Sequence, residues 1–418
     1  MFRRSAVLGC ALAALAIVIA GGARVVEALH RNTDTFVQIT TEPSTALSAP
    51  SFAGKSSVLV FSSDGDLLQN GNAHSQIFVF DLKRRAKNGE LALTQLTSGT
   101  VNSFAPSAAR RVRTVAFHAD GDLLGNGSTG RQVYAADKVK LKKGIVPTRQ
   151  VTVPPGESFD AVLSGAGKFL AFTSTADLLA QGLGAGDHLY RTEIRKFLRS
   201  ECPGYPCLAE GNPTLELITP FAAANPRMDR KGQRVVFESS GDVAGTGCVN
   251  GSTQLFMRDF KKEVVHQLTC GVGDSRNPAF SLDNKTILFE SDADLLSTGS
   301  TRTQIFQLEV RSEPFVLSQR TAGTDGDSTN PAPNGTRTKD RYFFVSTANL
   351  TGSVVPGTPR LYQFDAAKGT VLLTDDETIL SEIAGQFTFV TFVSDSDLVG
   401  NGNTQPQLFL INSFPFLE

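Results

Sequence analysis

An internal repeat limits this chain more than any other feature. Seven times a phenylalanine is followed two residues on by Ser or Ala, five on by Asp or Asn, and six on by an aliphatic residue. The copies begin at Phe61, Phe117, Phe172, Phe237, Phe289, Phe344 and Phe392, so successive anchors lie 56, 55, 65, 52, 55 and 48 residues apart. An aliphatic–aromatic pair sits 16 to 19 residues beyond each anchor, from Ile77-Phe78 to Leu408-Phe409. A short run ending in Thr or Ser then follows, as in Gln95-Leu96-Thr97 and Gln267-Leu268-Thr269, and turns such as Lys231-Gly232 and Asp283-Asn284 precede the anchors. Each unit thus carries four short β-rich runs separated by Gly, Asn, Asp and Pro. Four strands per unit of about 50 residues, repeated in line, predict an all-β chain: a seven-bladed β-propeller of four-stranded antiparallel blades.

The strand count predicts how the ring closes. Seven anchors are followed by only six fourth strands, because the chain stops soon after Leu408-Phe409. The missing strand is found at the other end, Phe36-Val37-Gln38-Ile39-Thr40. Supplying it to blade seven would remove two open sheet edges. The repeats occupy residues 35–418, read as a single domain.

Residues 1–28 carry the pattern of an export signal: Arg3 and Arg4, an apolar run from Ala6 to Ala20, and Val26 and Ala28 at peptidase spacing. Left uncleaved, the same run would anchor the chain in the membrane. The expected location is periplasmic or extracellular. Outside this segment are Cys202, Cys207, Cys248 and Cys270, an even number suited to disulfides in an exported chain. In a propeller, loops joining strands two and three share a face with the connections between blades, and loops joining strands three and four lie opposite. That parity predicts the pairs Cys202–Cys207 and Cys248–Cys270.

The same parity gathers acid on one face. The loops between strands two and three carry Asp64 and Asp66, Asp120 and Asp122, Asp292 and Asp294, and Asp395 and Asp397. The opposite face gathers basic residues, such as Lys83, Arg84 and Arg85, that could touch an anionic membrane surface. An Asp present in nearly every repeat is expected to hold its turn, its carboxylate accepting from N–H groups two residues on. The competing function is calcium binding at Asp120, Asp122, Asp395 and Asp397, by oxygen ligands without EF-hand spacing. No other cofactor is expected. His118 alone breaks the repeat beside two acids; it is expected as a surface histidine, with a base or metal ligand as the competing reading. Lys and Arg total 40 against 41 Asp and Glu, a balance that argues against nucleic acid. With no Trp, the composition also disfavours a carbohydrate cleft.

The units resemble the TolB-like, or WD40-like, β-propeller repeat of bacterial exported proteins. The resemblance rests on Asn277-Pro278-Ala279-Phe280, Phe289 to Asp294, Ile305-Phe306, Asp81-Leu82 and Gln267-Leu268-Thr269. TolB itself has six blades and a separate N-terminal α/β domain, for which this chain has no room. Since one propeller fold hosts many activities, the resemblance implies fold more than function. Two functions, of different classes, are expected. One is a monomeric, non-catalytic scaffold binding a protein or peptide of the cell envelope through the acidic face. The other is a propeller hydrolase or lyase using a metal in the central channel.

Overall fold

A computed structural model describes residues 36–412 except 43, 45–46, 54–57, 86–90, 110–113, 138–147, 200–213, 249–250, 334–340, 375–378, 387–388 and 403. It contains seven four-stranded antiparallel sheets. Six follow chain order; the seventh combines Ile379–Gln386, Phe389–Ser394 and Gln407–Asn412 with the N-terminal Val37–Gln38. Val37 pairs with Leu410 and Gln38 with Phe409. The first strand of every blade packs on the first strand of the next, and that of blade seven on that of blade one. The ring is therefore closed, with the first strands lining a central channel.

Both recurring sequence marks meet in space. Each anchor phenylalanine is the direct cross-strand partner of the aromatic in the later pair, as Phe61 is of Phe78 and Phe289 of Phe306. All seven ring pairs stack, with centroids 5.6 to 6.0 Å apart. These rings, with β-branched neighbours, fill the seams between blades. One such cluster joins Val58, Val60, Ile77 and Val79 of blade one to Val115, Phe117 and Tyr134 of blade two. Burying each ring contributes about 1.5–3 kcal/mol.

A polar lock repeats behind this core. The glutamine opening the third strand accepts a hydrogen bond from the threonine ending the fourth: Thr97 to Gln76 (2.6 Å), Thr152 to Gln132 (2.8 Å), Thr321 to Gln304 (2.7 Å). The same bond joins Thr40 to Gln407 at 2.7 Å, across 367 residues of sequence. The N-terminal segment thus replaces a fourth strand down to its side-chain chemistry.

Cys248 and Cys270 form the expected disulfide, which bears out the assignment of loops to faces. Cys202 and Cys207 lie outside the described residues, as do residues 86–90 and 138–147 of the expected basic loops. One element departs from the all-strand expectation: Ile194–Arg199 opens the blade-three insertion as a six-residue helix, with Ile194 fully buried. Among the described residues no helix is long and apolar enough to cross a membrane.

Candidate functional site: the channel mouth on the acidic face

The aspartates of the acidic loops are engaged by their own turns, though not by the amides expected. Asp66, Asp122 and Asp397 each accept from the backbone N–H four residues on through one oxygen, and five residues on through the other, at 2.6 to 2.8 Å. Asp294 does the same with Thr298 and Gly299. The chain after each Asp winds in a tight turn, closed for instance by Gln69 N–H donating to the Asp66 carbonyl. That winding carries the fourth and fifth amides under the carboxylate. The two-residue reach belongs instead to the serine of the Phe-x-Ser strand: Ser63, Ser174, Ser239, Ser291, Ser346 and Ser394 each accept from the N–H two residues on. The backbone donors hold the Asp122, Asp294 and Asp397 carboxyls below the usual range.

The other acids of this face also have near partners. Asp64 accepts from Ser44 at 2.5 Å, Asp120 pairs with Arg131 at 2.7 Å, and Asp292 accepts from the Asp274 N–H at 2.5 Å. Asp395 stands two residues before Asp397 in the same loop. For calcium at Asp120, Asp122, Asp395 and Asp397, the geometry means displacing an arginine from Asp120 and sharing oxygens already bonded to backbone. Among the described residues no three His, Cys, Asp or Glu side chains gather as a metal cluster.

His118 is buried rather than presented beside those acids, with 7% of its surface exposed. It lies opposite Phe104 across the sheet, ring centroids 5.8 Å apart, and its Nδ1 has no hydrogen-bond partner among the described residues. Burial first, then nearby Arg131, lowers its pKa from 6.5 to about 4, while Asp120 pulls the other way. The folded state therefore binds the proton less well than the unfolded chain. The stability this confers is complete above pH 6.5 and is lost as pH falls toward 4, by about 2 kcal/mol at pH 5. Replacing His118 with Val, the residue at this place in blades six and seven, is expected to shrink the fall in melting temperature between pH 7 and pH 5. An equal fall in both proteins would clear His118 of that role.

The residues that converge on the channel were not singled out by the sequence. Each first strand bulges near its start, at the end facing the acidic loops, and five of the bulged residues adopt positive φ: Ala105, Asp160, Asn225, Asn277 and Asn330. Asparagine and aspartate tolerate that conformation better than other side-chain-bearing residues. In blades three to six the bulge therefore turns polar groups into the channel mouth. The amides form a directional chain, Asn225 Nδ2 donating to Asn277 Oδ1 at 3.0 Å and Asn277 Nδ2 to Asn330 Oδ1 at 3.4 Å.

Two glutamates stand behind it. Glu238 Oε1 accepts from Asn225 Nδ2 (2.6 Å) and from the Asn277 N–H (2.8 Å). Glu290 accepts from Asn277 Nδ2 through Oε1 (2.8 Å) and from the Asn330 N–H through Oε2 (2.6 Å). Asp160 extends the arc into blade three, its carboxylate near the Asn225 backbone and the Arg227 and Arg131 charges. Burial pushes the carboxyls of Asp160, Glu238 and Glu290 above their ordinary range. At Glu290 the neighbouring Glu238 charge adds to the rise. The Asn-Pro that opens blades four to six was visible in the sequence, but only as punctuation.

Seven such sheets, closed edge to edge by the two ends of the chain, decide the fold. The chain is a seven-bladed β-propeller. No protein-family model matches it, and no curated protein matches it. Among solved structures, the propeller is similar to a Mycobacterium tuberculosis puromycin-hydrolyzing peptidase. That match has 12% identity and a TM-score of 0.56, and covers 90% of this chain and 54% of the other. This chain thus spans about half the length of that peptidase. It is also similar to an oligogalacturonate lyase in complex with manganese, at 12% identity and TM-score 0.55, covering 91% and 93% of the two chains. A putative TolB from Agrobacterium tumefaciens matches at 15% identity and TM-score 0.39, covering 78% and 80%. At 12% identity the peptidase and the lyase share a fold with this propeller, and nothing about its chemistry follows.

Proposed function

We propose that the chain is an exported, non-catalytic β-propeller that binds a protein or peptide partner of the cell envelope at the channel mouth of its acidic face. One observation carries this reading: among the described residues, the polar arc occupies only part of the ring. A group needed to build a blade recurs in every blade, as the stacked rings do. Partly buried carboxylates occur at this position in only two blades, Glu238 and Glu290. The equivalent residues elsewhere are Ser62, His118, Thr173, Val345 and Val393, which fold the same strand without an acid. Burying a carboxylate costs free energy even when it is hydrogen bonded. A cost confined to one sector of a repeating fold is expected where a ligand is met.

The acidic loops frame this mouth and, locked by their own hydrogen bonds, form a rigid rim suited to recognition. Export is supported by the Cys248–Cys270 disulfide, a bond of oxidising compartments. The test is crosslinking in intact cells with the wild-type chain and with an Asn277→Ala, Glu290→Gln variant of unchanged melting temperature. One envelope partner is expected to crosslink to the wild type and to be lost, or reduced at least tenfold, with the variant. Crosslinks identical in both proteins would move the binding surface away from the mouth.

A further inference from the structure

We infer that the cradle formed by Glu238, Asn277 and Glu290 seats a protonated amine of the partner, either a lysine side chain or a chain N-terminus. This rests on the binding function proposed above and specifies its chemistry.

Hydrogen-bond supply is the first ground. The Asn225 and Asn277 amide groups and the Asn277 and Asn330 N–H groups are already donating into the arc. A carboxylate oxygen accepts more than one bond and an amide oxygen two. What remains turned to the half-exposed channel wall is therefore mainly acceptor capacity. A primary ammonium has three donors and no acceptor, the complement of such a surface.

Charge is the second. Around the cradle, Asp274 is paired with Arg276, and Arg227 lies near Asp160 and Glu238. Arg131, also near Asp160, is held by Asp120. Asp120, Asp160, Glu238, Asp274 and Glu290 thus stand against Arg131, Arg227 and Arg276, leaving two negative charges uncompensated among these groups. Thr173 supplies an independent sign. It takes the place in blade three that Glu238 takes in blade four, next to Asp160 on the neighbouring strand. It is fully buried, and its Oγ1 has no hydrogen-bond partner among the described residues.

The surroundings suit a peptide better than a free cation. Of the large apolar side chains exposed on the loops of this face among the described residues, Leu68 (40%) lies in blade one, and Phe221 (42%), Val272 (90%), Leu296 (41%) and Val355 (77%) fall in this sector. Those of this sector stand in the connections into blades four and five and in the two–three loops of blades five and six. They lie on the side from which a peptide would reach the mouth, where they can cover the alkyl stem of a lysine and its apolar neighbours. Nothing on the opposite face matches this, where Val316 is the one large apolar residue exposed among those described.

Calorimetry on the full chain with three short probes tests the inference: acetyl-Leu-Lys-Leu-amide, Leu-Ala-Leu-amide with a free N-terminus, and acetyl-Leu-Ala-Leu-amide with no charge. At least one amine probe is expected to bind ten times more tightly than the uncharged peptide, a difference of about 1.4 kcal/mol. Which one binds distinguishes a side-chain amine from a terminus. Glu238→Gln keeps its one bonded oxygen, and Glu290→Gln gives up one of two bonded oxygens. Together they remove the charge and are expected to abolish that preference in the folded protein, the first of them without lowering the melting temperature. Equal binding of all three probes, no binding of either amine probe, or a preference that survives both Gln substitutions overturns the inference. If the amine probes fail while the in-cell crosslink still depends on Asn277 and Glu290, the mouth is a binding site for other chemistry. If the crosslink is also indifferent to them, the proposed function fails as well.

Discussion

Deleting residues 36–40 is expected to cost the propeller about 5 kcal/mol or more, a large share of the 5–15 kcal/mol that holds a typical domain together. Val37 and Ile39 are buried, and returning two such side chains to water costs about 3–6 kcal/mol. Ordering five fewer residues offsets part of this. The larger consequence falls on what stays behind. Gln407–Asn412 becomes an unpaired edge strand, exposing Leu408 and Leu410, each 1% exposed in the closed ring. The Gln407 amide loses Thr40, the Leu408 N–H loses the Thr40 hydroxyl, and Asn401 loses Gln38. An apolar edge of this kind templates aggregation. A sharply lower melting temperature with loss of monomer on gel filtration is the expected result, and a truncated protein that melts with the wild type disproves closure by this strand.

The second large effect concerns blade four. Cys248 and Cys270 close a loop of 22 residues, and such a crosslink stabilises by about 3 kcal/mol through the entropy it removes from the unfolded chain. A Cys248→Ser, Cys270→Ser double variant is expected to lose that much in urea unfolding under oxidising conditions. Using the double variant rather than a reductant leaves Cys202 and Cys207 untouched. The variant should keep the mouth intact, since Gln254 still donates to the Gly271 and Gly273 carbonyls that frame the same connection. Equal stability of the two proteins would mean that the bond constrains nothing the fold does not already hold.

Much of this architecture was legible because a propeller repeats its needs. The phenylalanine and the later aromatic recur 17 to 19 residues apart, and that separation is the path from one strand round the loop to its neighbour. The N-terminal strand could be assigned by counting, and the Cys248–Cys270 pair by loop parity. The Gln–Thr lock was also readable, since Gln76, Gln132, Gln254, Gln304 and Gln407 all stand just before the aliphatic–aromatic pair. It was overlooked because hydrophobic periodicity draws attention to the apolar positions.

The channel arc was harder for a physical reason. A bulge adds a residue to one strand and reverses which side chains face the channel. Asn225, Asn277 and Asn330 thus look like strand openers in sequence and become channel groups only through a backbone shift that the sequence does not announce. Glu238 and Glu290 read as the polar phase of an alternating strand. His118 was noticed for its neighbours in sequence; it shares a strand face with Asp120, but Asp120 ends the strand at the surface while His118, two residues further in, is covered by Phe104 of the adjoining strand.

Joining residue 37 to residue 410 also sets an order of events. Chains are made from the N-terminus, so the closing strand exists long before the edge it completes. Until Gln407–Asn412 has been made, Val37–Gln38 has no native partner, and every blade before the seventh can form without it. The loop to be closed spans nearly the whole chain, the costliest contact in the molecule for an unfolded polymer to find. The last native contact to form thus joins the first part of the ring to be made to the last. Anything that holds residues 36–40 in the meantime sets the moment at which the ring shuts.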